Sequence, residues 1–537
     1  MSVVLHSGLV FDGTDVVAGA TSVAVQDDRI VAVGTEAAVR EVLPEPDEVV
    51  DLAGRLVTPG FTDAHLHPLM AGLERLGCDV SGAGSAPETL ALVRSFADRR
   101  PDLDWLEGGG WAKEHFAGGL PGLEDLDAAV PDRPVVLRDN SHHAVWVNTE
   151  ARRRAGLDPA GPATLHEAEM DQVTRHLPPP SAAQQVAALR EAQRYVHSLG
   201  VTGWQDAIVG VYAGHPDPTG AYLAMVDDGS LTARVVGALW WPRGVDDVEA
   251  AVADLVQRRA DVAAAVPNGR FRATSVKVMQ DGVVESRTAG MSMPYLDGCG
   301  CLSSETGLSY VEPAVLMQVA KSLSRNGFQL HIHAIGDRAV QEALDALEAA
   351  IADPRSQPDL RHHVAHLQVV HPRDVPRFGA LGVTANLQAL WACHEPVMDE
   401  LNIPLLGSER AAWQYPFGDL ARSGAPLAMG SDWPVSTPNP FAAIEVAVTR
   451  REPGTDQPPL LPGQAIDVRT ALAAYTSGSA RINHLDDGGR LVAGALADLV
   501  VLDRDVLSVP SSEIARTRVD LTMVGGIVVH ERAYSSA

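Results

Sequence analysis

Cysteine is scarce in this chain: Cys78, Cys299, Cys301 and Cys393 are the only four in 537 residues. So few thiols exclude a disulfide-stapled scaffold and fit a reducing compartment. Cys299-Gly-Cys301 has the residue types for a metal chelate, but with no second pair nearby it also reads as a reduced loop. Basic residues are in short supply too, with 42 Lys and Arg against 69 Asp and Glu, a formal charge of −27. Phosphate contacts along a nucleic acid need a basic surface, so that partner class is excluded and the acidity reads as a solubility device. Aromatic residues make up only 5% of the chain. Apolar runs stay well short of the roughly 18–20 residues that a membrane helix needs. The opening "MSVVLHSGLVFDG" has neither the basic nor the apolar region of a signal peptide. The expectation is a soluble cytoplasmic protein, with a small-molecule substrate, no membrane partner and room for a homodimer.

What is present is apolar residue at 46%, rich in Ala and Val, in a chain too long for one simple core. Residues 1–58 alternate short β-rich runs with turn signals, and the texture returns in "GALADLVVLDRD" and "RVDLTMVGGIVVHE" near the C-terminus. Both ends are therefore expected to build one small β-sandwich, residues 1–58 with 485–537. Between them, apolar strands such as "RATSVKVMQD", "FQLHIHAIGD" and "PLAMGSDWPV" alternate with helices such as "SAAQQVAALREAQRYVHSLG". Repeated β–α units imply parallel strands and right-handed crossovers, enough of them over 59–484 to close a (β/α)8 TIM-type barrel in the α/β class. Residues from about 75 to 180 do not fit one such unit and read as a subdomain inserted after the first barrel strand.

Chemistry-bearing residues fall at strand ends. His65 and His67 in "GFTDAHLHP" lie two apart, so a strand points both to one face, an arrangement suited to a divalent metal. "LHIHAIGD" repeats the spacing with His331 and His333, "HHVAHLQ" supplies His362, His363 and His366, and "MGSDWP" supplies Asp432. Barrel enzymes place their catalytic groups where strands end. Lys277 interrupts the apolar run "SVKVM". It is either a surface lysine pairing with Asp281 or Glu285, or a group aimed into the barrel mouth. Gly282 and Gly290 loosen the following loop, and Arg287 between them faces either a substrate carbonyl or a loop carboxylate. Trp111, Trp240, Trp241 and Trp391, with Phe116, are candidates for an apolar pocket lining.

Taken in order, "GRLVTPGFTDAHLH", "VKVMQDGVVESRTAG", "LHIHAIGDRAV", "AHLQVVHPRDVPRFGALGV", "MGSDWPV", "TALAAYTSGSA" and "ADLVVLD" resemble the amidohydrolase superfamily. Within it, the chain is similar to the subgroup holding N-substituted formamide deformylases. The resemblance implies a barrel with a sandwich built from both termini. It also implies that His65 and His67 bind one divalent metal, Zn2+ by expectation, and His333 and His366 a second. Asp432 would complete the first site and act as general base, and Lys277, carboxylated on Nζ, would bridge the two. His331, His362 and His363 become supporting, packing or surface groups. His143 in the inserted segment is offered as a substrate contact, with a local structural role as the alternative. One departure is Ala365 where the family often has Glu before the histidine, which removes a residue that would orient His366. The expected reaction is hydrolysis of a C–N bond, an N-formyl or N-acyl amine. Deacetylation, deamination and cyclic-amide or ester hydrolysis are the alternatives on the same scaffold, and a catalytically dead binding protein is a further one.

Overall fold

A computed structural model describes residues 2–116, 119–139, 144–166, 169–212 and 214–532. Its centre is one eight-stranded parallel sheet whose spatial order follows the sequence. The strands are β1 (Phe61–Leu66), β2 (Val201–Val209), β3 (Arg234–Trp240), β4 (Phe271–Met279), β5 (Gln329–Ala334), β6 (His363–His366), β7 (Thr384–Leu387) and β8 (Leu427–Met429). Every residue of β5 and of β6 is buried, as expected for parallel strands covered on both faces. Helices cover the outside through apolar stripes. Helix Asp337–Ile351 buries Val340, Ala343, Leu344 and Leu347, a spacing of three and four. Helix Ala182–Ser198 starts at a capping box in which Ser181 and Gln184 satisfy each other's backbone N–H groups.

The first and last strands meet through their ends, which makes this a (β/α)8 barrel. Asp432 N donates to His65 O at 2.7 Å and His67 N donates to Trp433 O at 2.8 Å. The approach needs Gly430, because a Cβ there would lie 2.6 Å from His65 N. The barrel interior below the histidines is polar and largely paired, although Asn483 Nδ2 and His331 Nδ1 have no partner among the described residues. Gln205 Nε2 donates to Gln329 Oε1 and to Asn483 Oδ1, both at 3.0 Å, and Gln205 Oε1 lies 2.9 Å from His363 Nε2. These bonds make a row of polar side chains tolerable in a core.

Both chain ends build a β-sandwich. One sheet holds Ser2–His6, Ser22–Gln26, Arg29–Gly34 and Glu48–Asp51. The other holds Leu9–Val10, Leu56–Pro59, Leu499–Leu502, Val519–Val524 and Ile527–Glu531. Leu56–Pro59 and Leu499–Leu502 pair antiparallel, and Leu5, Val23, Val25, Leu499, Val501 and Met523 share one apolar cluster. The Arg234 guanidinium, from the start of β3, joins Asp498 through a two-pronged pair at 2.5 and 3.0 Å. Between β1 and β2 lies a second domain-sized layer, five strands in the order Thr164–His166, Ala144–Val147, Val135–Asp139, Leu106–Trp111 and Cys78–Asp79. Among the described residues no helix is long and apolar enough to cross a membrane.

Candidate metal centre

Six side chains named from the sequence converge where β1, β4, β5, β6 and β8 end. Asp432 Oδ1 lies 3.1 Å from His65 Nε2 and 3.0 Å from His67 Nε2. The three residues each offer a donor atom within 4.8 Å of the others. Lys277 points inward from β4 and is buried, its Nζ 3.3 Å from His65 Nε2. The His366 ring centroid is 4.8 Å from that of His65 and 4.3 Å from that of His333, so the imidazoles form one continuous group. His366 and Asp432 both take left-handed backbone angles, φ +80° and +57°, unusual for residues with a Cβ. Such conformations persist where surrounding bonds over-determine them. Here Gln388 Oε1 accepts from His366 N at 2.6 Å, and Asp432 N is tied to β1.

The supporting residues include two that sequence reasoning did not single out, Asp63 and Gln388. Asp63 accepts from His65 N and Ser431 N, both at 3.0 Å, locking β1 to the loop after β8. Asp281 accepts from Gly290 N, Ile335 N and Gly336 N at 2.8, 2.9 and 2.8 Å, so it is the hub of the loops after β4 and β5. It serves as no partner for Lys277. His331 Nε2 lies 2.9 Å from His65 Nδ1, which leaves His65 Nε2 facing the centre. With Ala365 in place of a carboxylate, His366 is oriented by stacking on Trp391 at 5.6 Å and 15°. The aspartates gave little signal, because one precedes a strand histidine and the other closes a strand as ordinary turn formers do.

Two candidate pocket residues, Trp111 and Trp241, need correction, and the alternatives left open for Arg287, His362 and His363 are decided. Trp111 lines no pocket. It is fully buried in the inserted layer, packed on Phe116 and Trp146, with its Nε1 donating to Leu137 O at 2.9 Å. Trp111→Phe should therefore lower stability by about 1–2 kcal/mol, from lost packing and one lost hydrogen bond, and leave substrate affinity unchanged in steady-state kinetics. Arg287 pairs with Glu305 at 2.8 Å on the surface, the loop-carboxylate alternative. Because the pair is exposed, Arg287→Ala should cost under about 1 kcal/mol in urea unfolding and leave KM unchanged. Trp241 belongs to the barrel core. His363, in β6, and His362, just before it, are buried rather than superficial. His362 Nδ1 accepts from Leu330 N at 3.0 Å. His143 lies outside the described residues.

This geometry coincides with a match over most of the sequence, since a model of the amidohydrolase family covers residues 48–530. The chain belongs to the amidohydrolase family. It is thus a metal-dependent hydrolase of that family. The amidohydrolase is 28% identical to Protein LONG AFTER FAR-RED 3 of Arabidopsis thaliana, over 97% of this chain and 90% of that one. To the N-substituted formamide deformylase of Arthrobacter pascens it is 25% identical, over 96% of both. An uncharacterized metal-dependent hydrolase from Pyrococcus furiosus superposes with a TM-score of 0.73 at 24% identity, covering 95% of this chain and 100% of that one, a likeness of fold.

The electrostatics of the amidohydrolase site suit a divalent cation. Burial, reinforced by Lys277, pushes His65 and His333 down to about 3, so both imidazoles are neutral and keep a lone pair. His366 is likewise held well below its ordinary value by burial and by His333, and its buried Nδ1 has no partner among the described residues. Burial alone would raise Asp432, but His65, His67 and His366 outweigh it and keep the carboxyl well below its ordinary range. Neutral imidazoles and an ionised carboxylate, converging with an unspent nitrogen nearby, form the donor set a borderline divalent ion prefers.

Proposed function

We propose that this amidohydrolase cleaves the C–N bond of an N-formyl or N-acyl amine, and that Zn2+ is its metal. The reading rests on one observation above all: Asp432 Oδ1 sits within about hydrogen-bond reach of both His65 Nε2 and His67 Nε2. His65, His67 and Asp432 would hold one ion, and His333 and His366 a second beside Lys277. When bound, the ion polarises the scissile carbonyl and lowers the pKa of water from about 15.7 toward about 7. Asp432, ionised and anchored to β1, accepts the proton of the attacking water. It returns that proton to the leaving nitrogen, which must be protonated to depart. Trp391, flat against His366, offers an apolar wall for the substituent on that nitrogen.

Lys277 is pushed down to about 7 by burial, so much of it is an uncharged amine near neutral pH. That neutral amine can add carbon dioxide with loss of one proton, and the resulting carbamate anion would supply oxygen donors to a divalent metal beside His65 and His333. The similarity to N-substituted formamide deformylase supports the choice of acyl group. The test is metal analysis of protein purified without added metal, followed by turnover of N-formyl and N-acetyl amines of increasing size. At least one divalent ion per chain, with activity lost to a chelator and restored by zinc, is expected. Absence of both bound metal and metal-restored hydrolysis would overturn the proposal. Turnover confined to N-acetyl amines, cyclic amides, esters or amino-purines would replace the substrate class while leaving the metal centre in place.

A further inference from the structure

Away from the metal centre, a cleft of about 720 Å³ opens beside the end of helix Ala182–Ser198, the start of helix Pro440–Thr449 and the last two strands of the sandwich. In a chain of net charge −27, its lining is basic. Arg504, Arg516, Arg518 and Arg532 border it with His530, against one lining carboxylate, Asp503. That carboxylate is already engaged, by Arg504 Nε at 3.0 Å and by Arg518 N at 3.0 Å. Arg532 is spent on Asp520 at 2.8 Å. Arg516 is loosely opposed, 3.9 Å from Glu513 and in electrostatic reach of Glu445, whose Oε2 is already bonded to Ala515 N. The Arg518 side chain has no partner among the described residues.

A second, independent feature marks the same place. Thr517, between the two available arginines, is only 4% exposed and lines the cleft, yet its hydroxyl has no hydrogen-bond partner among the described residues. A buried hydroxyl without a partner costs free energy unless a ligand or water satisfies it. The helix beginning at Pro440 adds the positive end of its dipole to the wall. Leu199, Phe441 and Val519 supply an apolar flank.

We infer that this cleft binds a small dianionic phosphate group, held by the Arg516 and Arg518 guanidinium groups and the Thr517 hydroxyl. Two planar donor forks and a neutral hydroxyl match the several acceptor oxygens of a phosphate. The apolar flank suits a phosphate monoester with an organic substituent, and free phosphate has the same recognised chemistry. None of the residues involved belongs to the metal centre, so this inference stands or falls separately from the hydrolase reading.

The experiment is calorimetric titration of the metal-loaded protein with phenyl phosphate and, in parallel, inorganic phosphate. Saturable binding is expected, weakening as sodium chloride is raised, because surface ion contacts are screened. Arg516→Ser with Arg518→Ser should weaken it by about tenfold or more, since two charge-assisted contacts are removed. Hydrolytic turnover and melting temperature should not change in that variant, which shows that the fold is intact. Thr517→Val should weaken binding without altering charge. Tighter binding of phenyl phosphate than of inorganic phosphate identifies a monoester as the ligand, and equal affinity identifies free phosphate. No saturable binding of either probe, or equal binding by wild type and the double variant, overturns the inference.

Discussion

Asp432→Asn should lower kcat by about 10²- to 10⁴-fold, the range associated with losing a positioned proton carrier. The substitution keeps the shape of the side chain and its place in the left-handed loop, φ +57°, so the fold should survive. What disappears is the charge that His65, His67 and His366 stabilise, and with it the acceptor for the water's proton. Because the proton transfer belongs to the transition state, kcat and kcat/KM should fall together while KM changes little. Asn also makes a poorer ligand than a carboxylate, so metal content must be measured in the same samples. A variant that keeps its metal and retains kcat within about tenfold of wild type would remove Asp432 from the proton-transfer role.

Acidification should destabilise the fold strongly, by about 2 kcal/mol for each of two buried histidines remote from the metal donors, between pH 7 and pH 5. His197 and His362 are buried, and burial pushes each from the ordinary 6.5 down to about 4. The sign follows from proton counting. Below about 6.5 the unfolded chain takes up protons that the folded chain refuses, so stability is fully present above that pH and is lost as pH falls toward 4. His197 illustrates why refusal is built in. Its Nδ1 lies 2.8 Å from Val201 O and its Nε2 lies 2.9 Å from Thr232 Oγ1, an arrangement complete for a neutral ring in a core. Urea unfolding of wild type and His197→Gln at both pH values measures the contribution directly. The variant should lose about 2 kcal/mol less than wild type on acidification, and identical losses would refute the assignment.

Much of the architecture and most of the centre were legible in the order of residues. Alternation with period two paired His65 with His67, and although His67 follows the last residue of β1 as a helix N-cap, both imidazoles reach Asp432. Apolar strands followed by amphipathic helices announced parallel β–α units, and "MGSDWP" placed Asp432 at a strand end. Those signals are local, because a strand's side-chain direction and a helix's buried stripe are fixed by backbone geometry. Tryptophan lacked such a signal. Trp111 and Trp391 look alike as aromatic residues near loops, yet one is fully buried in the inserted layer and the other stacks on His366. Arg287 and Asp281 were similarly open, since a charged residue in a loop has many partners within reach of its own sequence neighbourhood.

By itself, the sequence determined which residue types stand at which strand ends, and therefore that a barrel mouth would carry imidazoles, a lysine and a carboxylate. Only the tertiary structure decided how they are used. Residues 365 positions apart in the chain, His67 and Asp432, come within 3.0 Å because β8 closes against β1 over Gly430. Asp281 became a hub because three backbone N–H groups from two loops turn toward it, and Lys277 became an inward group because β3 and β5 flank its strand. Burial then set the protonation states, and burial depends on what the rest of the chain packs against each group. That is a long-range quantity, which no spacing of residues along the chain encodes.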